Sequence, residues 1–332
     1  MSVKESFNKV ITDIDTLGKH YIIRDGFVFT CLTEPTNVYN AIVIRNPQTA
    51  DCFSPKHGFS FRTLEEHIEF IKKNEIERAI VIAEDISFIN KCPSLKWLNI
   101  IPADNVSDFD FSPLYSMQEI RFLKCRTVHG DRSQYISSAK YDKFINLKDL
   151  FLIGEGHLNY TGLTELEYLM VSENKSIDTL DGVFTSKKLK RIDILQTSIE
   201  SLRGIDISER ITDVDLSYNR NLKDISDLTK VSKTLKMLII ENCPQINDFS
   251  CLCDLTELEH LWLCGKNVIP SLSFLRKMKK LKTITFSMEI ADGDLTPCLE
   301  IPYAYCKKSK KYYNLKDKDL PKSSIRKKTG EG

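Results

Sequence analysis

The fold is decided by residues 235–263, LKMLIIENCPQINDFSCLCDLTELEHLWL. The stretch opens with apolar residues at Leu235, Leu238 and Ile240. The same frame returns at Leu258, Leu261 and Leu263. Between the two, Ile246, Phe249 and Leu252 follow at every third position. Alternating apolar positions make a short strand with one inward face. Apolar residues at every third position suit extended chain or a single 3₁₀ turn better than a long helix.

Working outward, the frame (apolar, two variable, apolar, one variable, apolar) occurs nine times. It reads LKWLNI from Leu95, MQEIRF from Met117, LKDLFL from Leu147, LEYLMV from Leu166 and LKRIDI from Leu189. It continues as ITDVDL from Ile211, LKMLII from Leu235, LEHLWL from Leu258 and LKTITF from Leu281. The numbers of successive starts differ by 22, 30, 19, 23, 22, 24, 23 and 23. The return path repeats as well, with Ile177, Leu180 and Val183 in one unit and Leu222, Ile225 and Leu228 in another. Ile199, Leu202 and Ile205 fall one position early. No single unit buries its own apolar face, whereas stacked units build a continuous core and pair their strands in parallel.

This pattern resembles the leucine-rich repeat family, in its short bacterial, internalin-like class, over residues 76–290. The family places Asn, or sometimes Cys or Thr, at the eighth position after the repeat start. Asn174 and Asn219 stand there, with Thr197, Cys125 and Cys243 at equivalent places. The resemblance implies that these side chains lie inside and hydrogen-bond turn backbone of adjacent coils. Ala103, Glu155, Lys266 and Glu289 depart from the pattern. The expected fold is an α/β leucine-rich repeat solenoid: a curved parallel sheet, a return side of extended chain and 3₁₀ turns, and an α/β N-terminal cap.

The expected domains are residues 1–75 as cap or small domain, 76–290 as solenoid, and 291–332 as C-terminal cap and basic tail. YIIRDGFVFTCL and NAIVIR read as strands. Thr63 to Glu66 is a capping-box pattern that opens a helix with Leu64, Ile68 and Ile71 on one face. IERAIVIAEDISFI from Ile76 reads as a degenerate first coil. The long step from Met117 to Leu147 carries an insertion within 125–146, which is either a functional loop or a tolerated one. From Cys306 to Gly332 there are ten Lys or Arg and three Asp or Glu, a local charge of +7. That tail is either a solvated segment or a contact for nucleic acid, anionic lipid or an acidic partner.

The whole chain has 332 residues and a net charge of +1, which excludes a globally basic or acidic binder. The first residues lack the apolar core of a signal peptide, and no apolar run reaches membrane-spanning length. A cytoplasmic location is therefore expected. The ten cysteines contain no CxxC pair, and buried free thiols are the expectation. No phosphate loop, HExxH or GxSxG is present, and the six histidines are scattered, so no enzyme activity, metal or cofactor is expected.

The variable positions of each strand face solvent. Two columns result, one starting at Trp97 and one at Asn99. They contain Trp97, Phe151, Tyr168, Met170, Met237, Ile239, His260 and Trp262, where polar residues are the norm. Arg191, Asp193, Asp213 and Asp215 add charge in the middle of the array. Exposed aromatic and Met surface is typical of interface anchors. The alternative is that these side chains pack only on one another across strands. The expected function is binding of a protein partner on the concave face, by a monomer, with the carboxylates selecting basic groups. Resemblance to cytosolic bacterial repeat proteins implies an immunity protein or a regulatory adaptor. Activity within residues 1–90, or nucleic-acid contact through the tail, are the alternatives. A basic patch with stacking aromatics is missing from the repeat columns, which counts against nucleic acid.

Overall fold

The computed structural model describes residues 21–24, 27–30, 41–46, 62–102, 109–126, 140–154 and 162–323. Ala103, Glu155 and residues 127–139 of the insertion lie outside them. The chain divides into two units, Met1–Gly156 and His157–Gly332.

In the first unit, β1 (Tyr21–Arg24) and β2 (Phe27–Thr30) form an antiparallel hairpin, and β2 pairs antiparallel with β3 (Ile42–Asn46). Helix α1 (Leu64–Asn74) starts as its sequence dictates. Thr63 accepts from the Glu66 amide, and the Glu66 carboxylate accepts from the Thr63 amide. Its buried face carries His67, Ile68 and Ile71, and Phe70 lies 4.3 Å from the Phe27 ring. The chain then enters parallel strands β4 (Arg78–Ala83), β5 (Trp97–Pro102), β6 (Phe122–Arg126) and β7 (Asp149–Ile153). β3 pairs with β4 in parallel, so one sheet joins the segment before residue 75 to the repeats after it.

In the second unit the parallel strands are β8 (Tyr168–Ser172), β9 (Arg191–Leu195), β10 (Asp213–Ser217), β11 (Met237–Glu241) and β12 (His260–Cys264). On the return side, β13 (Val268–Ile269) pairs with β15 (Glu289–Ile290), while β14 (Thr283–Phe286) and β16 (Tyr303–Cys306) extend the main sheet. The expected 3₁₀ turns are present, at Ile205–Ile207, Ser226–Val231, Ser250–Asp254 and Ser273–Lys277.

One backbone contact sets the register of both units. In eight coils among the described residues, the carbonyl next after the repeat start accepts two amides of the following coil. Glu77 O takes Lys96 N and Trp97 N, Lys190 O takes Thr212 N and Asp213 N, and Lys236 O takes Glu259 N and His260 N. The short coil from Leu189 to Ile211 still meets this constraint. Within it, Gly204 lies so near the preceding coil that a Cβ there would stand 2.6 Å from Asp181 N. Gly204 also has φ of +97°, which glycine adopts without strain.

The register overturns one expected frame. β6 aligns Phe122 with Trp97 and Leu123 with Leu98, so the repeat starts at Ile120 rather than Met117. Two overlapping frames, MQEIRF and IRFLKC, both satisfy the apolar pattern, and only pairing with β5 and β7 chooses between them. The step from Leu95 lengthens and the step to Leu147 shortens, so the two coils become nearly equal. Cys125 consequently lies on the inner face of a strand, between Ile100 and Leu152, and not at the ladder position.

The inward ladder is present in the second unit. Asn219 Nδ2 donates to Ile194 O at 2.8 Å, and its Oδ1 accepts from Thr197 N and Oγ1 at 2.9 and 2.8 Å. Buried Asn174 accepts from Ser176 N, and the Cys243 thiol donates to Leu216 O. In the coil from Leu258, Gly265 takes the left-handed turn place seven residues after the start, and the inner place comes one residue later than in the other coils. Lys266 is displaced to the exterior, and Asn267 takes the inner place, donating to Cys243 O and Ile246 O.

The C-terminal expectation also changes. IPYAYC from Ile301 is a further instance of the frame, and it forms β16. Beyond it the chain to Ser323 is folded. Ala304 N donates to Pro321 O, Cys306 N to Asp317 Oδ1, and the Lys316 ammonium to the carbonyls of Lys310, Lys311 and Tyr313. This segment occupies the free edge of β16, where unpaired amides would otherwise invite another strand. Residues 324–332 lie outside the described chain.

Two outcomes follow for stability and reactivity. Asn219→Leu leaves buried groups of Thr197 and Ile194 without partners and is expected to cost about 2 kcal/mol. Thermal denaturation reads this as a drop of several degrees, and an unchanged Tm would refute the ladder. Burial pushes the Cys243 thiol up to about 11 and Cys125 higher still. Native alkylation of both should be at least ~100-fold slower than that of a free peptide thiol.

Candidate functional site

The repeat frame turns every second strand residue away from the core. In the second unit, one outward column reads Tyr168, Arg191, Asp213, Met237, His260, Thr283 and Tyr303. The next reads Met170, Asp193, Asp215, Ile239, Trp262, Thr285 and Tyr305. Each neighbouring pair is hydrogen-bonded strand to strand, which holds the side chains about 4.8 Å apart along a column.

At the β8–β9 end of this face the charges are internally matched. Arg191 binds Asp193 through two parallel contacts, Nε to Oδ1 and Nη2 to Oδ2, both 2.9 Å. The Tyr168 hydroxyl donates to Asp193 Oδ2, and the Arg191 guanidinium lies 4.6 Å from the Tyr168 ring centroid. Asp193 is only 5% exposed. Burial works against the Arg191 charge, but Asp193 outweighs it and holds the guanidinium above its ordinary value. Burial, reinforced by Asp193, pushes the Tyr168 phenol up. The carboxylate of Asp193 is thus committed inside the fold.

Asp215 has the opposite environment. It sits directly across from Asp193 in the β9–β10 register, a like-charge pair. Its one donor among the described residues is Ser217 Oγ, 2.5 Å from Oδ1. Burial pushes the carboxyl up to about 6. The charges of Asp193 and Glu241 push the same way, while the Ser217 hydrogen bond and Arg191 oppose them. On the same strand, Asp213 Oδ2 accepts from Thr212 Oγ1.

Beyond β10 the face becomes apolar and open. Ile239 stands opposite Asp215, and Trp262 opposite Ile239. Trp262 is 44% exposed, although it lies on a central strand of this unit. His260 Nδ1 is 2.8 Å from Thr283 Oγ1, and Met237 and Ile239 are half-buried. Tyr305 falls outside the columns read from sequence, which end at the Leu281 frame. It is 38% exposed, two strands from Trp262.

In the first unit the corrected register exposes a second aromatic group. Trp97 stacks on Phe122 at 4.3 Å and 18°, and Phe122 meets Phe151 at 4.8 Å. Phe122 and Lys124 take the two outward places that a repeat start at Met117 would have given to Glu119 and Arg121. Phe122 and Phe151 are buried by this packing, on the face that ordinarily meets solvent. The signal for Phe122 is present in the alternative frame IRFLKC. Among the described residues, no group of three His, Cys, Asp or Glu is placed to hold a metal, and no helix is long and apolar enough to cross a membrane.

The repeated frame, the parallel one-coil-to-one-strand register and the inward Asn ladder define this chain as a leucine-rich repeat solenoid. No family model matches the chain. It is similar to the Disease resistance protein RML1A of Arabidopsis thaliana, with 33% identity over 151 residues. That match covers 42% of this chain, which spans 15% of the relative's length. Among solved structures it is similar to an internalin (inlF) from Listeria monocytogenes, with 16% identity and a TM-score of 0.46, covering 81% of this chain and 80% of that one. A TLR13–ssRNA13 complex gives 14% identity and a TM-score of 0.45, over 74% of this chain and 45% of that one.

The Asp215 geometry has a thermodynamic sign. A carboxyl raised in the folded state binds its proton there before it does in the unfolded chain. Stability from this group is therefore present at low pH and lost as pH rises through about 6. Asp215→Asn should raise stability at pH 7.5 by on the order of 1 kcal/mol, and by less at pH 5. Urea denaturation at the two pH values measures it, and destabilisation at pH 7.5 would sink the reading.

Proposed function

We propose that this chain is a protein-binding module that engages its partner on the outward sheet face of the second unit. The observation that carries this is Trp262, an indole 44% exposed among Ile239, Met237 and His260 on hydrogen-bonded strands. Water-facing strand positions favour polar side chains. A large apolar group held rigidly there loses little entropy on binding and buries much area. Tyr305 extends the patch. The site set is narrowed accordingly. Met237, Ile239, His260, Trp262 and Tyr305 supply apolar contact, and Asp213 and Asp215 supply charge. Tyr168, Arg191 and Asp193 hold one another in place, with Met170 half-buried beside them. Trp97, Phe122 and Phe151 stack ring on ring and support the first unit.

Residues up to 75 serve as a cap, supported by the pairing of β3 with β4. The resemblance to cytosolic bacterial repeat proteins favours a monomeric, cytoplasmic adaptor or immunity role. Three lysines of the basic tail are engaged with Glu289, Asp317 or backbone carbonyls, which leaves less charge there for nucleic acid.

The test compares three folded baits in a pull-down read by mass spectrometry: wild type, Trp262→Ala/Tyr305→Ala, and Leu299→Ala. Leu299 is exposed on the return side. The expected result is a protein retained by wild type and Leu299→Ala but depleted at least ~10-fold from the double variant. Equal retention by all three baits would remove the sheet face from the interaction.

A further inference from the structure

We propose that Asp215 is a subsite for a cationic side chain of the bound partner, an arginine or lysine whose stem lies on Ile239 and reaches toward Trp262. The inference rests on the protein-binding reading of this face and names the chemistry that the face recognises.

The argument begins with charge balance. Asp193, Asp213, Asp215 and Glu241 face outward on β9, β10 and β11, and Arg191 is the cation among them. Arg191 is spent on Asp193, where Nε and Nη2 meet both carboxylate oxygens and Tyr168 adds a third donor. Asp213 takes the Thr212 hydroxyl, and Glu241 accepts from Tyr218 Oη at 3.2 Å. Asp215 remains, with Ser217 on one oxygen and, among the described residues, no donor on the other. It is half-buried, opposite one carboxylate and near a second. Arg191, the cation that favours its ionised form, is itself bound to Asp193. A neutral asparagine of the same size would keep the Ser217 contact without the repulsion.

The surroundings supply the rest of the subsite. Lysine and arginine carry apolar stems as well as charge, and lay those stems on apolar surface. Ile239 lies directly across β10–β11 from Asp215, and Trp262 is the next residue in the same column. The indole face also attracts a cation by its quadrupole. Acid, aliphatic and exposed indole in consecutive strands therefore match one long basic side chain. A partner carboxylate would meet repulsion from Asp213, Asp215 and Glu241 together.

The experiment follows the indole signals of the protein labelled with ¹⁵N-tryptophan, in which Trp97 serves as internal control. The probes are n-butylguanidinium with agmatine, which adds an ammonium at the far end of the four-carbon stem, the neutral n-pentanol, and calcium chloride, at matched ionic strength. Agmatine is expected to shift the Trp262 signal at concentrations where Trp97 is unmoved. The response should fall at least tenfold in Asp215→Asn and weaken between pH 7.5 and pH 5. Pentanol should shift Trp262 equally in both proteins. An agmatine response no larger than that of pentanol, its survival in Asp215→Asn, or a response to calcium in place of agmatine would each overturn the subsite. The pull-down with Trp262→Ala/Tyr305→Ala reads the protein-binding function independently. Loss of the agmatine response with a face-dependent partner intact removes only the subsite. An agmatine response with a face-indifferent partner removes only the binding reading.

Discussion

The structure depends on a carbonyl that, in eight of the coils, accepts two amides from the next. Glu77, Lys96 and Arg121 hold this place in the first unit, and Glu167, Lys190, Thr212, Lys236 and Glu259 in the second. The side chains differ, because the contact is made by backbone. What the contact demands is that each strand begin at the same height as its neighbour. Once that holds, a parallel ladder follows, and apolar residues at fixed offsets fall into one core. Coil length is free to vary, provided the return path absorbs the difference.

The turn after each strand follows from the same requirement. Glu173, Gln196, Tyr218 and Asn242 all have positive φ between 51° and 61°, and Gly265 takes the corresponding place. The left-handed residue lets its amide continue the ladder. Glu173 N bonds Leu195 O, Gln196 N bonds Ser217 O, and Tyr218 N bonds Glu241 O. A left-handed conformation costs a non-glycine residue roughly 1 kcal/mol. The inward Asn, Thr or Cys that follows binds the carbonyls that the turn leaves inside. Strained backbone and buried amide are thus two parts of one device. Exposed ion pairs such as Glu167 with Lys190 repeat from coil to coil and add little energy each, while like charges in those places would oppose the stacking.

The outward face is where the sequence departs from what stability alone would choose. Tyr168, Arg191 and Asp193 are closed on themselves, and their charges contribute to holding β8 and β9 together. Asp215 and Trp262 are not closed in this way. One is a half-buried carboxylate across from another, and the other an open indole on a central strand of its unit. Local rules are broken at these two residues, two strands apart, and functional surfaces are the usual place for such breaks.

The amino-acid sequence by itself determined the repeat, its period, the parallel strand order and the identity of most core residues. Spacing alone carries that information, because apolar residues at offsets 0, 3 and 5 leave one way to bury a strand face. It also carried the capping box at Thr63 and the inner places of Asn174 and Asn219. Only tertiary structure decided between MQEIRF and IRFLKC, since both satisfy the pattern and the choice is made by hydrogen bonds to the coils before and after. It alone moved the inner Asn from the Lys266 position to Asn267, because the turn after Gly265 is one residue wider while the apolar frame of the next strand is undisturbed. It alone separated Asp193 from Asp215. The two share one column and one residue type, but Asp193 has Arg191 on its own strand and Tyr168 on the neighbouring strand both turned onto its oxygens, whereas Asp215 has, among the described residues, only Ser217.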